Sequence, residues 1–514
     1  MERLLLCGLV GLHVAFAALL FDREPMIGGD NAHYMILAES IGTGQGYRDI
    51  HIPSAPNHAQ YPPFYPLVLA AVGALGGSLI AFKIVSMFLT TASVVSLYLL
   101  ARMRLGWTGA LAVAAPLAVS PVLLDHSHWV LSEALFLLCV LVALAAAERS
   151  TGTDRWFVAS LIAGVLAFLT RFAGLPVLIA LALPLAWHRD WRRLAVVTAV
   201  ATVAVGGWWL WGWLGDAPGA GRYAEVVFLR DTYRPELGSI DVTELFRRAG
   251  STAWAYLSDV LPDTLLGSAA AHRSPGWSTG GSVVVAILAA LGWLRGVRRM
   301  RPTEWYAVGY AAVICAWPDD FATRRYLLPL LPIVVLLAVT GANSLVGRIP
   351  GRTPVWALPA LGGALALLAL PGDLAAVEQN RRCAELARQG QAQPCQPPGW
   401  RAFAEIARWV RENTPDDAIV VSRKPRLFYL LAGRRGNGFP FTTDEARMFR
   451  FLDEIGTDYV VVAGLSDTTA RYLFPVIEAH PDRFPAVLRI GKSSQPTGYL
   501  LRYLPTGTAR PPPG

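Results

Sequence analysis

Long apolar runs, separated by short polar segments, dominate the first 371 positions; they cover 4–21, 80–101, 107–124, 129–147, 156–170, 173–187, 194–214, 281–294, 304–317, 326–346 and 354–371. A helix rises about 1.5 Å per residue and a bilayer core is about 30 Å thick, so runs of this kind predict membrane-spanning helices, about eleven of them. A further run, 62–77, opens YPPFYP and reaches only about 24 Å, so it predicts a juxtamembrane helix. The first run continues to Phe21 and is followed by further spans, so it reads as an anchor and not as a cleaved leader.

After about residue 372 the pattern changes. Phe403, Ile406, Ala407 and Val410 recur at helical spacing, and Ile419-Val420-Val421 has strand character. Thr442 and Glu445 have capping-box spacing ahead of a helix carrying Phe449, Leu452 and Ile455. Residues 458–462 read as a buried strand, a helix follows over 467–479, and strands are expected near 484–490 and 498–504. The chain is therefore expected to be a polytopic α-helical membrane protein with a C-terminal soluble α/β domain, part of whose sheet is parallel. The expected boundaries are 1–371 for the membrane domain, 372–399 for a connector and 400–514 for the α/β domain. Outer loops are expected at 22–79, with juxtamembrane helices, and at 215–280.

Composition agrees with a membrane class, with 54% hydrophobic and 16% charged residues. The net charge of +8 carries topological information, because cationic loops stay on the cytoplasmic side. If 62–77 does not cross, Arg3, Arg102, Arg104, Arg149, Arg155, Arg189, Arg192, Arg193, Arg295, Arg298, Arg299, Arg301, Arg348 and Arg352 all gather on one side. The loop 22–79 and everything after 372 then lie outside. These arginines are scattered over short loops and form no basic face, which argues against nucleic acid as a partner. No Walker loop or G-x-G-x-x-G marks the tail as a nucleotide binder. Cys383 and Cys395 fall in the outer connector, where an oxidising compartment permits a disulfide; Cys7, Cys139 and Cys315 read as packing residues.

Ionisable residues at membrane depth are functional candidates by default. In the first outer loop these are Asp30, Asn31 and His33, with Tyr34 beginning a helical repeat. At the next outer junction stand Asp125, His126, His128 and Glu133, followed by Arg171 in FLTRFAGLP and by Asp319, Asp320, Arg324 and Arg325. Asp30 also has a plainer reading as the N-cap of an amphipathic helix ending at Gly42 and Gly44. Arg324 and Arg325 have one as snorkelling side chains. The tryptophans Trp208, Trp209, Trp211 and Trp213 read as an interfacial belt.

Together, G-D-N-A-H-Y-x-x-x-A at the first loop, Pro62-Pro63-Phe64-Tyr65, Ser132-Glu133 at a membrane edge, R-Y-L-L-P-L-L-P over 325–332 and a C-terminal α/β domain resemble the GT-C membrane glycosyltransferases. The nearer branches are the protein O-mannosyltransferase, aminoarabinose transferase and Rgt-like ones, similar to glycosyltransferase family 39. The resemblance implies a GT-C fold in a bacterial inner (plasma) membrane. It implies transfer of a sugar from a polyprenyl-phosphate donor to a hydroxyl of a lipid, glycan or protein acceptor, on the outer face and with inversion. It makes Asp30 the general base and Glu133 the second acidic position. Arg171, Arg324 and Arg325 are the cations for the donor phosphate, with Lys83 further off. Asn31, His33, Tyr34, Tyr61, His126 and His128 line the substrate pocket. This chain has Asn31 where relatives often carry a second acid, and Tyr61 where they carry Lys or His. A divalent metal stays open, and its ligands would be Asp30, His33 and Glu133. The competing reading is a secondary transporter or lipid flippase, which the lack of a detectable internal repeat disfavours.

Overall fold

The structure is a computed structural model that describes residues 1–24, 28–150, 154–215, 217, 221–267, 271, 275–318, 322–346, 357–391, 393–492 and 495–505. It divides into two compact units. The first comprises Met1–Arg23, Ala59–Leu229 and Ile240–Arg381, and the second Glu24–His58, Arg230–Ser239 and Arg382–Gly514.

Helices α1 (Glu2–Leu19), α2 (Gly29–Gly42), α3 (Phe64–Ala74), α4 (Leu79–Ala118), α5 (Pro121–His126), α6 (Glu133–Arg149), α7 (Asp154–Thr170), α8 (Leu175–Trp187) and α9 (Trp191–Leu214) follow one another; α2 belongs to the second unit and the rest to the first. The first unit continues with helices Pro275–Val297, Pro302–Ala316, Leu331–Val346 and Ala357–Arg388. A helix forms in each of the apolar runs. Among the described residues, five helices are long and apolar enough to cross a membrane: Glu2–Leu19, Leu79–Ala118, Trp191–Leu214, Gly276–Val297 and Ala357–Arg388. At about 16 Å, α3 falls well short of a bilayer core.

Two runs expected as separate spans, 80–101 and 107–124, meet within α4. Gly106 interrupts the helix with φ 71° and ψ −177°, a backbone that L side chains rarely adopt, so it divides α4 into two helices. Helices Pro275–Val297 and Leu331–Val346 cross backbone to backbone. A Cβ on Gly292 would run into the carbonyl of Leu337, and one on Gly341 into that of Leu288. Small residues at such crossings replace the hydrophobic drive that lipid does not supply. Phe16, Ala17 and Leu20 of α1 pack on Val119, Leu124, Ala369 and Val377 in a buried cluster.

The second unit is built on a four-stranded sheet. Its strands are β1 (Val420–Val421), β2 (Tyr459–Ala463), β3 (Ala486–Lys492) and β4 (Gln495–Arg502), in the order β1-β2-β4-β3. β1 and β2 are parallel, with Val420 opposite Tyr459, and the two other pairings are antiparallel. Helix Pro398–Asn413 lays Phe403, Ile406, Ala407 and Val410 on one side of the sheet. On the other side gather Met448, Leu452, Tyr472, Leu473 and Phe484. The helix Glu445–Glu454 is capped by Asp444, whose side chain accepts from the Arg447 amide; the expected Thr442 cap instead accepts from the Asp444 amide. Cys383 and Cys395 form a disulfide, and helix Ala357–Arg388 runs into the segment expected as connector.

α2 is part of this second unit. Its Ala32 is buried in the same cluster as Phe403, Ile406, Phe428, Val461 and Leu500, and the helix packs on Pro425–Ala432. An amphipathic surface helix is the plainer reading of this segment. Instead Asn31, His33, Tyr34, Ile36, Leu37 and Ala38 are all buried.

Candidate functional site

The residues singled out in the sequence fall on both units. In the second unit, α2 starts at Gly29 with Gly28 as its cap, so Asp30 occupies the first turn and is not the cap residue. That position still suits a carboxylate, since the amide dipoles of a helix start favour negative charge. Asp30 is half-buried. Beside it stands a cation that the sequence reading passed over. The Lys424 ammonium lies 3.9 Å from where a Cβ on Gly29 would sit. Burial and the Arg423 guanidinium hold that ammonium below its usual pKa range, while Asp30 acts in the opposite sense. Lys424 also faces the Trp400 ring at 6.0 Å. Arg423 donates to Ser466 Oγ at 3.0 Å and Thr468 Oγ1 at 2.6 Å, and rests on the rings of Tyr233 and Phe441. The signal was present as Arg423-Lys424-Pro425-Arg426, the most basic run of the tail, but nothing local in the sequence ties that run to residue 30. His33 joins Asp49 and His58 in a buried cluster described below.

In the first unit Glu133 begins α6 and is 1% exposed. Its Oε1 accepts from Arg171 Nη1 at 2.6 Å and also from Arg325 Nε. Arg171 further donates to Ser132 Oγ at 3.0 Å. Both guanidiniums face the Tyr326 ring, at 5.9 Å and 5.8 Å. Glu133 Oε2 is buried without a hydrogen-bond partner among the described residues. Two guanidiniums share one carboxylate in a partly buried place, and guanidinium geometry suits phosphate oxygens. His126 donates from Nδ1 to the Val122 carbonyl at 2.7 Å, which leaves Nε2 as a buried acceptor without a partner among the described residues. The charges that act on it are those of Glu133, Arg325 and Arg171.

The neighbouring Arg324 turns elsewhere, to Asp263 at 3.2 Å and Asp125 at 3.9 Å. It is therefore met by two carboxylates. Lys83 is fully buried and donates to the Asp22 carbonyl at 2.6 Å. Tyr61 and His128 are buried in the first unit. Asp319 and Asp320 lie outside the described residues.

Residues 60–211 match the family model described as dolichyl-phosphate-mannose-protein mannosyltransferase. Among solved structures, ArnT from Cupriavidus metallidurans in the apo state superposes with a TM-score of 0.58 at 14% identity, covering 96% of this chain and 97% of that one. The same ArnT bound to undecaprenyl phosphate gives 0.57 at 13%, covering 98% and 99%. The archaeal oligosaccharyltransferase AglB from Archaeoglobus fulgidus, in complex with an inhibitory peptide and a dolichol-phosphate, gives 0.55 at 16%, covering 89% of this chain and 69% of that one. At these identities the likeness is one of fold. No curated protein sequence matches the chain. The chain thus shares the fold of ArnT and AglB, and residues 60–211 match a mannosyltransferase family model.

Proposed function

We propose that the protein moves a sugar from a polyprenyl-phosphate donor to an acceptor hydroxyl at the outer face of a bacterial inner membrane, inverting the anomeric carbon. The observation that carries this reading is the Arg171–Glu133–Arg325 cluster, a partly buried pair of guanidiniums sharing one carboxylate. Transfer breaks the bond between the anomeric carbon and a phosphate oxygen, and forms one between that carbon and the acceptor oxygen. The lipid phosphate departs with added negative charge, which fixed cations stabilise best where water is scarce. Arg171 and Arg325 receive that charge, and Glu133 fixes their orientation. Asp30 takes the acceptor proton, on a rigid helix start and with Lys424 as its compensating charge.

Residues 1–371 serve as the membrane domain in this reading, and 400–514 as an extracytoplasmic α/β domain. The fourteen arginines gathered on the opposite loops support that orientation. The Cys383–Cys395 disulfide suits an oxidising compartment.

The test is transfer by purified protein in liposomes supplied with a polyprenyl-phosphate sugar. Asp30→Asn is expected to lower turnover by about a thousandfold, the scale of a lost general base, with expression and melting temperature unchanged. Turnover within a few-fold of wild type would remove Asp30 from the chemistry.

A further inference from the structure

The loop that follows α2 folds back on itself. The Asp49 amide donates to the Pro56 carbonyl at 2.9 Å and the His58 amide to the Tyr47 carbonyl at 2.9 Å, with an antiparallel bridge between Arg48 and Asn57. The Gly436 amide fastens the loop to the tail through the His51 carbonyl at 2.8 Å. This pairing brings Asp49 beside His58, and α2 presents His33 to both. His58 Nδ1 stands 3.2 Å and 3.1 Å from the two Asp49 oxygens, and His33 Nε2 contacts Asp49 Oδ1. The two imidazole rings meet edge to face at 4.5 Å. One donor atom from each of the three residues lies within 4.8 Å of the others, and all three residues are buried.

We propose that His33, Asp49 and His58 form a structural site for a divalent transition-metal ion of the zinc class, one that pins the first outer loop to α2. Two imidazole nitrogens and a carboxylate oxygen are a donor set such ions favour, and magnesium or calcium prefers oxygens alone. Ligands about 2 Å from a tetrahedral centre stand about 3.3 Å apart, close to the His58–Asp49 spacing. A fourth nitrogen is at hand in His51. Its ring lies 5.6 Å from that of His33, the residue is 2% exposed, and its Nδ1 has no hydrogen-bond partner among the described residues. The closed surroundings fit an ion that braces the fold, since a catalytic ion keeps a position open to substrate. The set differs from Asp30, His33 and Glu133, the ligands that resemblance suggested. It shares only His33, which lies one turn along α2 from Asp30.

The experiment uses the full chain, purified without a polyhistidine tag, stripped with a chelator and re-equilibrated with zinc. Wild-type protein is expected to retain about one zinc per chain by elemental analysis, and zinc is expected to raise its Tm by about 5 °C. Asp49→Asn and His58→Ala are expected to lose both effects. If those variants do not fold, cobalt(II) added to stripped wild-type protein decides the matter, because a low-symmetry nitrogen–oxygen site gives visible absorption bands. Asp30→Asn is expected to keep its zinc while losing transfer, so the metal site and the proposed reaction stand or fall separately. Wild-type protein that retains less than about a tenth of an equivalent of zinc and gives no cobalt bands would overturn the site, leaving a hydrogen-bonded cluster.

Discussion

Two clusters of arginine and glutamate in the first unit are alike in chemistry and opposite in design. Arg104 donates to both oxygens of Glu304, at 2.6 Å and 3.1 Å, and pairs with Glu148, which Arg301 also approaches at 3.7 Å. Arg104 is 3% exposed, Glu304 1% and Glu148 10%, whereas Arg301 is 30% exposed. Charges balance there, and the cluster ties α4 to α6 and to helix Pro302–Ala316. In the Arg171–Glu133–Arg325 cluster the carboxylate is as buried, but two guanidiniums, 17% and 24% exposed, share it. In the reading proposed above, the number of guanidiniums sharing a buried carboxylate, more than the presence of arginine, separates a brace from a phosphate receptor.

Arg104→Ala should have the largest effect of any change in these clusters. It strands the buried Glu304 carboxylate and is expected to cost about 3–5 kcal/mol, read as a steep loss of Tm in detergent. Adding Glu304→Gln should recover part of that loss, and no recovery would mean that Arg104 matters through packing alone. Arg171→Gln or Arg325→Gln should act the other way round, lowering transfer by about 100-fold to 1,000-fold while moving Tm little. A stability loss like that of Arg104→Ala would erase the contrast between the clusters. Glu133→Gln removes the shared counter-charge, so polyprenyl phosphate should bind about tenfold tighter, measured by equilibrium binding, even as turnover falls. The smallest effect is expected from Arg324→Gln. Its charge is already met by Asp263 and Asp125, and donor KM should shift by less than about threefold. A loss equal to that of Arg325→Gln would show that both arginines serve the phosphate.

Helices were legible in the sequence wherever apolar runs were, because hydropathy is a local quantity that a short window captures. The strand patterns at 419–421 and 458–462 were legible for the same reason, as short apolar runs set beside helical periods. What escaped was non-local. Lys424 stands beside Gly29 and Asp30 across almost four hundred residues, and no periodicity encodes that approach. Asp49 and His58 carried no motif; a loop hydrogen-bonding pattern puts them together. Arg324 and Arg325 are adjacent in sequence yet have different partners, because consecutive residues on one turn point to different sides. The N-cap at Gly28 in place of Asp30 is a smaller miss, of the one- or two-residue kind that helix ends invite.

The weaving of α2 into the sheet domain has a consequence for how the chain is made. Ala32 is synthesised early, whereas Phe403, Val461 and Leu500, its neighbours in the finished core, emerge from the ribosome only near the end. The segment bearing Asp30 must therefore wait, incompletely packed, until the last strands arrive. Cutting away the tail would unmake the first loop as well, so a truncated chain could never report on the membrane helices alone.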